Sequence, residues 1–226
     1  MKNPPKYPVM YEEAALPGFS AFRYYTRKGV DLASMKDFEY IPNSRAAFNA
    51  FARRFRLAKS MQPVVFEGYR EGTSNGYAAL NRHFLMFSAF ERYTTDCEGL
   101  EHGAYHRALQ FVSDAKFKEI KVAFDMVDTN DAIYKFLLSN CASKQQTRSL
   151  QEFREGKSDR KGMYISSMLR NSFVHGVLSA NPSGAPKKAI EHLANFMADF
   201  LYEAIRDDFH KRLESVEYLL QERGTQ

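Results

Sequence analysis

Residues 77–93 read YAALNRHFLMFSAFERY. Laid on a helix of 3.6 residues per turn, the apolar side chains cover most of the circumference, with Phe84, Phe87 and Phe90 on one stripe. A helix apolar on most of its faces belongs at the centre of a bundle. The reading therefore predicts a helix from near Thr73 or Ser74 to about Cys97, and around it an all-α fold.

The flanking segments extend the same pattern. Upstream, Phe48, Phe51 and Phe55 recur at helical spacing after Pro42, where Asn43 or Ser44 can cap a helix. Arg45, Arg53, Arg54, Arg56 and Lys59 make that helix basic, and Pro63 sets its end near Met61. Pro63-Val64-Val65-Phe66 reads as a strand or a buried loop. Downstream, Gly99 and Gly103 mark a turn. Shorter helices are expected near 104–112, 115–126 and 129–139, with Asp128 or Thr129 as a cap. The polar stretch 142–161 reads as a partly exposed helix and loop.

A further helix is expected over about 162–178, followed by the break Asn181-Pro182-Ser183-Gly184-Ala185-Pro186. Pro186 suits the first turn of the last helix. From Ile190 through Leu193, Met197, Phe200, Phe209 and Leu213 to Leu220, apolar residues keep helical spacing. A helix over about 186–222 would be roughly 55 Å long at 1.5 Å per residue. Asp207-Asp208 interrupts the stripe, which marks a bend or a far end that leaves the bundle to meet a partner.

Residues 1–42 differ from the rest. Pro4, Pro5, Pro8 and Pro17 fall early, Gly18 and Gly29 punctuate the segment, and Tyr and Phe are frequent. Proline fixes φ and biases its predecessor toward extended backbone. We read residues 1–42 as an irregular, Pro- and aromatic-rich arm packed on a bundle formed by 43–226.

The chain has 226 residues, 44% of them hydrophobic and 26% charged, so it can bury a core and does not have the composition of a disordered protein. Its net charge of +5 is a mild basic excess compatible with a phosphate-bearing partner. Two cysteines, Cys97 and Cys141, imply no disulfide framework. The N-terminus lacks the apolar run of a signal peptide, and no stretch is apolar enough to span a bilayer. A cytoplasmic protein without membrane contact is expected.

One segment carries chemistry: Arg170-Asn171-Ser172-Phe173-Val174-His175. On a helix, Asn171 and His175 lie about 40° apart, with Ser167 on the same stripe, whereas Arg170 sits about 140° from His175. The guanidinium fork matches phosphate oxygens and stays charged. Imidazole takes or gives a proton near neutral pH. Asn171 can fix the imidazole tautomer or bind a phosphate oxygen. These are parts for metal-free RNA cleavage, in which a 2′-hydroxyl attacks the adjacent phosphorus while a base removes its proton and a cation stabilises the developing charge. The other reading is that Asn171 and His175 are buried polar residues satisfying each other within a bundle.

The hexapeptide resembles the ribonuclease motif of HEPN domains, in which an Arg is followed by a polar residue and, a few positions on, a His. The resemblance covers the motif helix residue by residue and about 74–222 as a helix pattern. It implies an up-and-down helical bundle and a metal-independent endoribonuclease without cofactor. Similar proteins act in defence, toxin–antitoxin or RNA-processing systems. It implies Arg170, Asn171 and His175 as catalytic residues, with RNA as substrate. It also implies a homodimer whose two motifs share one composite active site, and an antitoxin or regulatory protein as a further partner. A shared site would resolve the angular separation of Arg170 from His175. Some HEPN domains carry an acid on an earlier helix, and Glu91 stands in that role here, with Ser167 as a further supporting residue. Members with His-x-Tyr are modified on the Tyr; Val177 occupies that place, so this control is not expected. The alternative is a non-catalytic HEPN-like module binding RNA, a nucleotide or a protein. A third reading is a helical scaffold that assembles through its last helix.

Other constellations carry less. Cys97, His102, His106 and Cys141 are zinc-ligand types, but their spacing matches no known finger, and no metal is expected. Arg53, Arg54, Arg56 and Lys59 are candidates to track an RNA backbone, or form a solvated helix face. No phosphate loop or nucleophile elbow occurs.

Overall fold

In the computed structural model, residues 45–61, 64–97, 108–109 and 111–224 are described, with side chains over 50–61, 64–95, 108–109, 111–212 and 214. Seven α-helices are placed among these residues: α1 (Arg45–Ser60), α2 (Glu71–Arg92), α3 (Asp114–Val127), α4 (Ala132–Ser139), α5 (Lys144–Arg154), α6 (Met163–Val174) and α7 (Ala189–Gly224). Tyr93–Cys97 continues α2 as a π-helical turn, and Asp159–Gly162 leads into α6 as a 3-10 turn. Most described residues are helical and no strand occurs among them, so the all-α expectation holds. No helix among them is long and apolar enough to cross a membrane.

The apolar circumference of α2 has its predicted consequence. α2 packs most extensively against α7 on one side and α1 on another, and also meets α6. Leu80, Met86, Phe87, Ala89 and Phe90 are buried along it. From α7, Leu193, Met197, Leu201, Ile205 and Phe209 close the same core, and Phe51 and Phe55 of α1 join it. The Phe55 ring stacks on Tyr202 of α7 at 5.3 Å, and Phe51 meets Tyr93 at 5.0 Å. Such pairs add to the area they bury.

Several expectations are corrected. Val64 and Val65 are neither strand nor buried loop: Val65 is 86% exposed. α2 begins at Glu71, before Thr73. Pro186 lies outside α7; its carbonyl accepts from the Ala189 N–H, and Lys188, at φ 62°, breaks the helical path before Ala189. α7 runs through Asp207-Asp208 as one helix. Asp208 is buried, where it accepts from the Tyr93 hydroxyl at 2.6 Å and from Arg212 Nε at 2.8 Å. A paired carboxylate can therefore sit on the core face without interrupting the helix. The arm over 1–42, the caps Asn43 and Ser44, and most of the helix expected at 104–112 lie outside the described residues.

Asp128 caps differently from the simple expectation. It is fully buried and four residues before α4, yet its two carboxylate oxygens accept from the Ile133 and Tyr134 N–H groups, each at 2.8 Å. It thereby satisfies two amides that a helix start leaves without internal partners.

Candidate functional site

The motif helix is shorter than its sequence suggests. α6 ends at Val174, four residues before the expected limit, and His175 is its C-cap. Gly176 adopts φ 70°, the left-handed conformation glycine favours. Its N–H donates to the Phe173 carbonyl, and the Val177 N–H donates to that of Ser172. This pair of bonds is a Schellman closure. The chain then turns back, and Ala180 comes so close to α2 that a Cβ on Gly76 would lie 2.7 Å from the Ala180 Cβ. Gly76 is thus required for the segment after the motif to seat against α2.

This ending carries His175 out of the bundle. Its side chain is exposed, and exposed Val174 and Val177 flank it. Asn171 is half-buried one turn earlier; its carbonyl accepts the His175 N–H at 3.0 Å. The two side chains line one small cavity of about 140 Å3, with Asn140, Gln146, Met168 and Ser172 around them. The reading in which Asn171 and His175 satisfy each other inside the core is not what the structure has, because His175 faces solvent.

Arg170 turns the other way, toward α2. Its Nη2 donates to Glu91 Oε2 at 3.3 Å, and its guanidinium lies 5.7 Å from the centre of the Phe87 ring. Its Nη1 donates to Asn171 Oδ1 at 2.7 Å. Arg170 and Glu91 keep 34% and 36% of their side-chain surface exposed, so the pair sits at the bundle surface. Arg170, Asn171 and Glu91 are therefore in contact, and of the three Asn171 also lines the His175 cavity. Ser167 is not joined to it: its hydroxyl donates back to the Tyr164 carbonyl at 2.9 Å.

Beneath the cluster, α2 and α6 are tied by a polar contact the sequence reading did not single out. His83 is buried, with Nε2 2.7 Å from the Ser166 hydroxyl. Burial lowers its pKa to about 3, so the ring is neutral at physiological pH. The only sequence signal was a His inside an otherwise apolar stripe. Asn140 and Gln146 were also not foreseen, since they reach the cavity from the α4–α5 junction, far from the motif in sequence.

Arg53 and Arg54 project into solvent from α1, while Arg56 and Lys59 are half-buried. The Lys59 ammonium lies 4.1 Å from the centre of the Tyr202 ring, so part of the basic cluster is used in packing. Cys141 is half-buried, its Sγ 3.4 Å from the Leu137 carbonyl, and burial pushes its thiol pKa up. His102, His106 and the Cys97 side chain lie outside the described residues. No His, Cys, Asp and Glu grouping suited to a metal occurs among the described residues.

Compared with known proteins, the chain matches no family model, no curated protein and no solved structure.

Proposed function

We propose that this protein is a metal-independent endoribonuclease of the HEPN type, acting as a homodimer on RNA in a defence, toxin–antitoxin or RNA-processing setting. The observation that carries the reading is the double role of Asn171, which accepts from Arg170 and shares a cavity with the exposed His175. A guanidinium suited to phosphate oxygens and an exposed imidazole thus flank one residue at one helix end. In the proposed reaction an imidazole takes the 2′-hydroxyl proton as the 2′-oxygen bonds to phosphorus. The P–O5′ bond breaks, a proton returns to O5′, and a cyclic phosphate is left. An Arg170 guanidinium would bind the phosphate oxygens as charge builds on them. Exposed Val174 and Val177 beside His175 suit burial against a second copy, which would bring the partner's imidazole toward Arg170.

The test is cleavage of RNA by the purified protein with and without a chelator. Cleavage is expected to persist with chelator and to leave a cyclic phosphate. Arg170→Ala or His175→Ala is expected to lower it about a hundredfold or more. Undiminished cleavage by the His175→Ala protein would sink the mechanism.

One observation favours a second reading. The Arg170 fork already engages Asn171 and Glu91. If those bonds hold against a phosphate, the module binds RNA, a nucleotide or a protein without turnover, and RNA binding would weaken with salt while no product forms.

A further inference from the structure

A second cleft, of about 250 Å3, lies where the end of α1, the first half of α2 and the start of α7 meet. Asn75 and Arg82 of α2 face Glu191 and Asn195 of α7 across it, and Met61 and Ala78 add apolar surface. None of these residues lines the His175 cavity.

Glu191 is the unusual member. Its Oε2 is buried and accepts from no donor among the described residues. A carboxylate oxygen removed from water without a hydrogen bond is costly, and native proteins retain few such atoms without a use for them. Arg82 is not its partner. Arg82 Nη1 donates to Asn195 Oδ1 at 3.2 Å and to Asp199 Oδ2 at 3.4 Å, and Nη2 donates to Asp199 Oδ1. That arrangement also orients Asn195: its carbonyl is held by Arg82, so its NH2 is the group left to meet a ligand. The cleft is therefore lined by a carboxylate with one unsatisfied oxygen and by an amide, with apolar surface from Met61 and Ala78.

A ligand that suits these groups donates N–H to a carboxylate and accepts from an amide at neighbouring positions. A simple cation satisfies Glu191 but meets the Arg82 charge on the same wall. A neutral, flat heterocycle with adjacent donors and a carbonyl avoids that conflict. Guanine has this pattern: N1–H and the exocyclic N2–H2 face a carboxylate together, and O6 beside them accepts. We propose that the cleft is a guanine-binding site in which Glu191 accepts from N1–H and N2–H and Asn195 donates to O6. The base belongs either to a free guanine nucleotide or to a guanosine within an RNA strand. The site stands independently of the ribonuclease reading.

Calorimetric titration of the full chain with GMP, IMP and AMP tests it. IMP keeps N1–H and O6 but lacks the exocyclic amine. GMP is expected to bind, IMP about tenfold more weakly, since one hydrogen bond to a charged group is lost, and AMP more weakly still. Glu191→Gln should weaken GMP at least tenfold. To find the source of the base, an oligoribonucleotide carrying one guanosine is titrated into His175→Ala protein. Binding tighter than GMP that weakens when Glu191→Gln is added assigns the site to a strand; equal or weaker binding assigns it to the free nucleotide. The proposal is overturned if neither GMP nor the oligonucleotide binds at millimolar concentration. Equal affinity for GMP and AMP, or wild-type affinity in Glu191→Gln, overturns it as well. The comparison of GMP with IMP uses only the wild-type chain, so it decides even if the variant fails to fold.

Discussion

Arg170 and Glu91, 79 residues apart in sequence, meet at 3.3 Å where α6 crosses α2, and the same guanidinium holds Asn171 at 2.7 Å. The pair is about one-third exposed on each side. Ion pairs at that exposure contribute roughly 0–1 kcal/mol to stability, so stability alone gives little reason for it. Positioning the guanidinium gives a better one. Glu91→Gln is expected to shift the unfolding free energy by less than about 1 kcal/mol and to lower RNA cleavage severalfold or more. Denaturant unfolding and a cleavage time course on the same preparation check both parts. A large loss of stability with cleavage per folded molecule unchanged would assign Glu91 to the scaffold instead.

Gly176 sets where His175 points. A Cβ at Gly176 would meet nothing within 4 Å, so Gly176→Ala introduces no clash. Its cost is the left-handed φ of 70°, about 1 kcal/mol for an L-residue. The variant should relieve that strain by reshaping the helix end, which moves the His175 side chain relative to Asn171. Cleavage is expected to fall by more than the small loss in melting temperature explains. If activity follows stability alone, the cap serves folding and not the site.

His83 makes stability depend on pH with a definite sign. Its folded pKa of about 3 lies below the ordinary imidazole value of 6.5 because burial penalises the charged ring. Between those values the unfolded chain binds a proton that the folded chain refuses, so its contribution to stability is complete above pH 6.5 and is lost as pH falls toward 3. The slope is about 1.4 kcal/mol per pH unit in that window, or roughly 2 kcal/mol lost by pH 5. Urea titrations at pH 7, 6 and 5 measure it. In the double variant His83→Phe with Ser166→Ala, which removes both polar partners, this component of the slope should disappear. A wild-type slope that survives the double variant would place its origin elsewhere.

The helices were legible in the sequence because they rest on periodicity. The apolar face with Phe87 and Phe90 and the stripe of Leu193, Met197 and Phe200 could bury themselves in few other ways. Helix ends were less legible. Nothing periodic marks Gly176 as the residue that ends α6, or Lys188 as the positive-φ residue before α7. Asp208 is a related case: an acid in an apolar stripe reads as an interruption, and sequence spacing does not show that a Tyr 115 positions away supplies its partner. In the candidate site, helical angles anticipated that Asn171 and His175 share a face while Arg170 points elsewhere. What they could not supply was the geometry across elements, such as Asn140 and Gln146 beside His175 or the orphaned oxygen of Glu191.

Asp128 tests how much one buried cap stabilises the α3–α4 corner. Its carboxylate accepts from two consecutive backbone amides, Ile133 and Tyr134, each at 2.8 Å and away from solvent. Asp128→Ala leaves both amides without their acceptor in a place water does not reach easily, which costs about 2–4 kcal/mol, more than an exposed cap. Asp128→Asn keeps one acceptor oxygen and sets an NH2 against the other amide, so it should recover only part of the loss. The order of stability by denaturant unfolding is therefore expected to be wild type, then Asn, then Ala. Hydrogen exchange should report faster opening at Ile133 and Tyr134 in the variants. The α4–α5 junction carries Asn140 and Gln146 to the cavity shared with His175. Loosening α4 should consequently lower RNA cleavage even though Asp128 is not among the residues lining that cavity. Wild-type cleavage in an Asp128→Ala protein with a demonstrably opened α4 would show that the junction is not needed for the site.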